Sequence, residues 1–363
     1  MRAAVVEKAG GGFVVRDIRV AEPVGREVLV EVRASGLCHT DFTLAGRTPP
    51  GYAPPVVLGH EIAGVVTGLG PEAHEFAVGD HVVGCLVQWC GGCPACLDGR
   101  PYQCTRPAST LRDPRHGPRL SRDGWPVAQG MGLGGFAQWC LVHENQLTAV
   151  PPDLPFASAA LLGCGVLTGM GSVFNGAKVK AGESVAVIGV GGVGLNTVSA
   201  ARLAGASRIV AVDVQDGKLR RAQVHGATDI VNSAAVDAAE AVRELTGGGV
   251  RHVFDIVGTA VTAQQALAMA ALGGDVYVVG LAAGGPGLTL SLPRLLLEQK
   301  RIQGLIMGSG HPRRDIPRYA GLCAQGLLDL DGLVSWRIGL DEIDAGYAAL
   351  RDPDVARVVI TSF

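Results

Sequence analysis

Hydrophobic positions change their rhythm partway along the chain. Up to about residue 165, runs such as EVLVEVRASG (27–36) and EIAGVVTGLG (61–70) alternate apolar with polar or small residues and stop at glycine or proline. That texture predicts short strands in a compact β-rich domain. Beyond it, apolar runs alternate with helical stretches: 184–188, 208–212, TDIVN (228–232), HVFDIVG (252–258), DVYVVGL (275–281) and RIQGLI (301–306). Strands that are apolar on both faces and separated by helices predict a doubly wound α/β domain with six parallel strands. After about residue 304 a helix (315–325) and a last strand, ARVVITSF, follow, and this tail most simply returns to the first domain. Residues 105–130, with several Arg, Pro and Gly, read as a long surface loop, and no internal repeat or low-complexity tract is present.

Length and composition agree with this division. A chain of 363 residues suggests two domains. A net charge of −2 gives no reason to expect a nucleic-acid partner. Glycine, at 53 residues, is abundant without a collagen period, so tight turns and close backbone approaches are expected. The N-terminus MRAAVVEKAGGGFVVRD lacks the apolar run of a signal peptide and no uninterrupted stretch of about 20 apolar residues follows, so a cytoplasmic protein with no membrane partner is expected. In that reducing compartment nine cysteines point to metal ligands, reactive groups or small buried hydrophobes before disulfides.

Four of those cysteines, Cys90, Cys93, Cys96 and Cys104, fall in WCGGCPACLDGRPYQC. Gly91, Gly92, Pro94 and Gly99 break the backbone, so a loop wrapped around an ion is expected rather than a helix or strand. Short spacings of this kind let four thiolates converge on a tetrahedral zinc; an iron–sulfur cluster uses similar ligands, and a two-disulfide loop is the third reading. Four thiolates leave no open position, so such a zinc is structural, holding a lobe of about residues 88–106.

A second group is scattered: GLCHTD (36–41), LGHEIAGVV (58–66) and LLGCGVLTGMG (161–171). Cys38, His60 and Cys164 would make a three-ligand site with an open fourth position, as catalytic zinc requires. Singly, a Cys in an apolar run is usually core and a lone His is usually hydrogen-bonded or exposed. The neighbours change that: Asp41 can accept from the His60 ring nitrogen turned away from a metal, and Glu61 can sit behind the ion.

In ESVAVIGVGGVGLNTVSAARLAGASRIVAVD (183–213), Gly189, Gly191 and Gly194 form GxGxxG between a strand and a helix pattern from about 193 to 203. Gly192 and Val193 lie within the turn, and Asp213 ends the next strand. Alone the motif is weak, but in this context it predicts a dinucleotide site: glycines for the turn and the close approach of a pyrophosphate, a helix N-terminus facing the anion, and an acid for the ribose hydroxyls. The charge of Asp213 disfavours a 2′-phosphate, so NAD is expected over NADP. Lys218, one turn on, can reach the adenosine ribose or simply be a solvated charge.

With these pieces together the sequence closely resembles the zinc-dependent medium-chain alcohol dehydrogenases from its first strand to its last residues. Cys38 with Asp41, GHE at 59–61, the four-cysteine lobe, GCGVLTG around Cys164 and GVGGVG at 189–194 occur in that family's order. The resemblance implies a GroES-like catalytic domain (1–164 and 304–363), a Rossmann domain (165–303), and a cleft holding nicotinamide next to zinc. It implies two zincs per chain, with Cys38, His60 and Cys164 holding the catalytic one, Glu61 beside it, and Cys90, Cys93, Cys96 and Cys104 holding the structural one. Thr40 takes the proton-relay position, Thr168 packs under the nicotinamide, and His39 and Arg357 match basic positions near the pyrophosphate. Thr43 stands where many members have a relay histidine, so the end of the relay passes to His39, ribose hydroxyls or water. Cys85, Cys140 and Cys323 match no ligand position and are expected to be buried.

The implied reaction is NAD-linked oxidation of an alcohol by hydride transfer from a zinc-bound alkoxide, and its reverse. A primary alcohol, allylic or aromatic, is the first expectation. A thiol adduct of formaldehyde is the second, because the segment around residues 119–144 resembles the branch of glutathione- and mycothiol-linked formaldehyde dehydrogenases and aryl-alcohol dehydrogenases. A secondary alcohol is a further alternative; polyols fit less well, since that branch commonly has a carboxylate where Cys164 stands. A reading of a different class is a non-catalytic nucleotide-binding sensor. The resemblance also implies a homodimer or homotetramer paired through the last strands, here GLTLSL (287–292) and RIQGLI.

Overall fold

A computed structural model describes residues 1–47, 53–281 and 287–363. The chain divides into two compact units, Met1–Cys164 with His311–Phe363, and Gly165–Gly310. The return crossing falls at 310/311 rather than 303/304, because Leu305 still hydrogen-bonds to Val278 and the turn Met307–Ser309 packs on the helix Leu167–Gly171 of the second unit.

The first unit is built on two sheets. In the larger one the strand Glu27–Gly36 is central, flanked by Glu61–Leu69 on one side and by Trp139–His143 and Arg357–Ser362 on the other. The register sets Gly36 opposite both Glu61 and Val359, which brings three distant segments to one end of the sheet. Val28, Val30, Val32, Ile62, Val66 and Val82 fill the core beneath, the period-2 pattern expected of half-buried strands. The second sheet contains Arg2–Val6, Val56–Val57 and the hairpin strands Leu120–Arg122 and Trp125–Gln129. That hairpin corrects the expectation of a long surface loop at 105–130: Arg119 is buried there and donates to Glu27, Thr110 and Gln129, pinning the segment to the sheet.

The second unit holds six parallel strands in the order Asp229–Asn232, Arg208–Asp213, Ser184–Ile188, Val250–Asp255, Ala270–Val278, Arg301–Gly304. Chain order reverses at Ser184–Ile188, so the glycine-rich turn after it lies at the topological switch point, where such sheets bind ligands. GLTLSL forms no strand: residues 287–290 have no regular structure and Ser291 caps the helix Leu292–Glu298 instead. A helical run, Phe156–Ala177, carries the chain from the first unit into the second; it is long and apolar, and it is buried as core.

Candidate functional site

The tight geometry in the first unit begins at Gly36. A Cβ there would stand 2.4 Å from Oε2 of Glu61, so glycine is what lets the Glu61 side chain lie across the neighbouring strand. Past Gly36 the chain turns through Leu37 into the short helix His39–Ala45, with Cys38 at its N-cap, Thr40 in its first turn and Asp41 buried. Glu61 opens the adjacent strand, Glu61–Leu69, and His60 immediately precedes it; both are buried. Cys164 comes from the helix entering the second unit, on a π-helical turn, Leu162–Val166. π-turns recur at functional sites because the extra residue re-aims a side chain. Gly163 allows this one to sit on the sheet: a Cβ there would meet the Gly84 carbonyl at 2.1 Å.

Ligand atoms of Cys38, His60, Glu61 and Cys164 all lie within 4.8 Å of one another. Nδ1 of His60 is 2.9 Å from Oδ2 of Asp41, close but off the hydrogen-bond line, while the other Asp41 oxygen accepts from Gly59 N–H at 3.0 Å. His60 Nε2 is buried with no partner among the described residues. An orphaned imidazole nitrogen beside two thiols is the donor set zinc takes, so these residues fit the ion.

The electrostatics point the same way. A bond from the Cys164 thiol, against the cost of burial, and the charges of His60 and Arg357 hold the Cys38 thiol well below its ordinary value. Burial opposes charge on His60, yet Asp41 and Cys38 outweigh it and hold the imidazole well above its usual range. The same acidic neighbours that pull the imidazole up make this pocket attractive to a cation, and a metal dication meets that demand while His60 ligates it as the neutral imidazole. Burial pushes the carboxyls of Asp41 and Glu61 up, against His60 and Arg357 respectively. Arg357 is buried and its Nη2 donates to Glu61 Oε2. The sequence marked Arg357 only for the cofactor, and nothing near either residue in the chain signals this pairing across 296 positions.

The second cluster is compact. The Cys93 sulfur is 3.4 Å from that of Cys96 and 3.9 Å from that of Cys104, and all four sulfurs fall within 4.8 Å of one another. Sulfurs placed tetrahedrally ~2.3 Å from an ion stand about 3.8 Å apart, so the set fits zinc with changes of no more than about 1 Å in spacing. Backbone N–H groups of Cys90 and Arg106 donate to Cys104, and bonds from Thr105 and Cys96 lower the Cys93 thiol to about 5. Among the described residues all nine cysteines are free of disulfides. The segment is not all loop: Pro94–Leu97 forms one helical turn, with Pro94 at a first-turn position where its missing N–H costs nothing. Cys85 and Cys140 are buried as expected, but Cys323 is only half-buried.

In the second unit Gly189 has φ +85°, and a Cβ on Gly194 would strike the Gly189 carbonyl at 2.0 Å. Around Gly191 there is open space, and the helix Gly192–Leu203 that begins there has no side-chain cap. Unfilled N–H groups beside an open glycine are a cradle for a pyrophosphate. Asp213 accepts from Val190 N–H through Oδ2 and from Val214 and Gln215 N–H through Oδ1, which fixes its carboxylate at the end of its strand. Lys218 lies in the following helix, Asp216–His225, and is half-buried. Thr168, in the helix Leu167–Gly171, is buried with its hydroxyl 3.7 Å from the Met307 sulfur. His39 is exposed, 5.9 Å from Phe42 between ring centres.

Comparison with known proteins adds an independent line. Residues 25–152 match the alcohol dehydrogenase GroES-like domain and residues 192–325 the zinc-binding dehydrogenase domain. The chain is 35% identical to an S-(hydroxymethyl)glutathione dehydrogenase of Synechocystis and 33% identical to an alcohol dehydrogenase class-3 of Cereibacter sphaeroides, in each case over 99% of both chains. Among solved structures it resembles benzyl alcohol dehydrogenase of Acinetobacter calcoaceticus, with a TM-score of 0.93 and 33% identity over 100% of this chain and 99% of that one.

Proposed function

The chain belongs to the zinc-dependent medium-chain alcohol dehydrogenases, and from that premise we propose that it oxidises the hydroxymethyl adduct of a small thiol, with NAD as acceptor. Full-length similarity to S-(hydroxymethyl)glutathione dehydrogenases supports the thiol adduct over a simple primary alcohol. The aromatic primary alcohol is the second reading, favoured by the likeness to benzyl alcohol dehydrogenase. The observation that carries the chemistry is the convergence of Cys38, His60 and Cys164 around an imidazole nitrogen without a partner.

Those three residues would hold a zinc, with Glu61 and Arg357 behind it, and Gly189 to Gly194 with Asp213 would hold NAD. When bound, zinc supplies Lewis acidity that makes a hydroxyl more acidic, and NAD supplies the hydride acceptor. Asp41 orients His60. The Thr40 Oγ1, in the first turn of the helix that follows Cys38, receives the hydroxyl proton and passes it toward solvent. The overall change balances as R–S–CH2OH plus NAD giving R–S–CHO, NADH and a proton. Thr168 supports the nicotinamide, while Lys218, His39 and Arg357 assist in holding the cofactor. The enzyme works as a homo-oligomer.

The test is NADH formation by protein carrying two zincs per chain, with S-hydroxymethylglutathione, S-hydroxymethylmycothiol, benzyl alcohol and a secondary alcohol, each with NAD and NADP. Thiol adducts should give the highest kcat/KM, with NAD. Preference for benzyl alcohol would move the conclusion to the second reading, and no turnover on any alcohol would favour a sensor.

A further inference from the structure

Tyr347 lies far from the metal ligands in sequence yet touches the backbone of the first one. Its hydroxyl donates to the Cys38 carbonyl at 3.2 Å, across 309 residues. That carbonyl is also the first acceptor of the helix His39–Ala45, taking the N–H of Asp41 at 3.1 Å and of Phe42 at 3.4 Å. No side chain caps the N-terminus of this helix, which at seven residues is too short to hold itself. The third donor, from Tyr347, is therefore an external anchor at the point where the chain turns from sheet into helix.

The ring is fixed in turn. It is buried, stacked on Phe13 at 5.5 Å between centres and tilted against Phe42 at 5.2 Å. The residue before it makes a second contact with the same segment: a Cβ on Gly346 would stand 2.6 Å from Cδ1 of Leu37, so the helix Ile343–Ala349 lies directly against Leu37. Leu37 N–H is held separately by the Val358 carbonyl at 2.9 Å. Two adjacent residues of one helix thus grip the two residues that deliver the metal ligand.

We propose that Tyr347 is a positioning residue: through the Cys38 carbonyl it sets the direction of the Cys38 sulfur, and through the same helix that of Thr40 and Asp41. The assignment rests on the zinc reading of Cys38, His60 and Cys164. Aligned ligands depend on such outer contacts, whose loss typically weakens metal binding about 10–100-fold.

The experiment uses the two-zinc holoenzyme and a cobalt-substituted form. Tyr347→Phe keeps the ring and removes only the hydroxyl. It should release zinc to a colorimetric chelator about tenfold faster from the Cys38 site, shift the cobalt–thiolate absorption, and lower kcat, while zinc in the four-cysteine lobe leaves at the wild-type rate. Phe13→Leu disturbs the ring stack and spares the hydroxyl; at an equal loss of Tm it should keep wild-type metal release. A wild-type release rate and cobalt spectrum in Tyr347→Phe would overturn the assignment, as would equal metal loss in Phe13→Leu. A wild-type chain that takes up only the four-cysteine zinc would instead refute the reading beneath it.

Discussion

Asp41 divides its carboxylate between two tasks, one oxygen on Gly59 N–H and the other facing His60. Replacing it by Asn keeps the shape and removes the charge that holds the imidazole in place. Asp41→Asn should cost about 10–100-fold in zinc affinity at the Cys38 site and in kcat/KM, read by metal competition and NADH formation, with the four-cysteine zinc retained. Glu61 and Arg357 pose a different balance, because both are buried and neither has water to fall back on. Arg357→Met leaves an unpaired carboxylate and should lower stability by about 3–5 kcal/mol in urea unfolding. Glu61→Gln added to Arg357→Met should restore most of it; a double variant no better than the single one would mean that the charge is not the cause. The contrast also shows where sequence is legible. Asp41 and His60 are close along the chain and their chemistry is suggestive, whereas the arginine facing Glu61 is identified only by the strand register that sets Val359 opposite Gly36.

At the scale of elements, the turn Glu144–Gln146 is capped by a ring: Nδ1 of His143 accepts from Asn145 N–H at 3.1 Å. Burial, helped by the charge of Arg26, pushes this histidine down to about 4, below the ~6.5 of an unfolded chain. Between those values the unfolded state binds the proton and the folded state does not, so stability rises with pH through that window and is lost as pH falls from about 6.5 toward 4. His143→Asn keeps an acceptor that does not titrate, and the rise in urea-unfolding free energy from pH 4 to pH 7 should shrink by roughly 1–3 kcal/mol relative to the parent. An unchanged slope would assign the acid sensitivity elsewhere. Elements of this kind are the least legible from sequence. Glu27–Gly36 and Ser184–Ile188 announce themselves by patterning. The strand Val334–Gly339 and the helix Ile343–Ala349 do not, because their apolar positions answer to the first unit's core, which forms only once the tail returns. The hairpin at 120–129 is hidden for a related reason: Arg119 at its entrance and Arg122 within it look solvent-seeking until Glu27 and Glu7 are placed beside them.

For the molecule as a whole, the parallel sheet of the second unit ends at Arg301–Gly304, whose outer edge has no strand partner among the described residues. Beside it in sequence, Leu292, Leu296 and Leu297 on one short helix, with Leu281 and Ile306, are all more than half exposed, Leu281 at 87%. Single exposed leucines need no explanation, but an open strand edge accompanied by several of them is a surface that a monomer would normally protect with charge or proline. Pairing of the edge with the same edge of a second copy satisfies its backbone groups and is closed by a two-fold axis, which adds no further open edge. The glycine turn follows the strand Ser184–Ile188, three strands in from this edge, so neither partner blocks the other's cofactor cradle by strand pairing alone. Leu296→Glu combined with Ile306→Lys should therefore sediment as a monomer where the proposed wild-type homo-oligomer sediments as an assembly, with far-ultraviolet circular dichroism and zinc content unchanged. A wild-type protein that sediments as a monomer at micromolar concentration, or a variant that stays fully assembled, would rule this edge out as the contact.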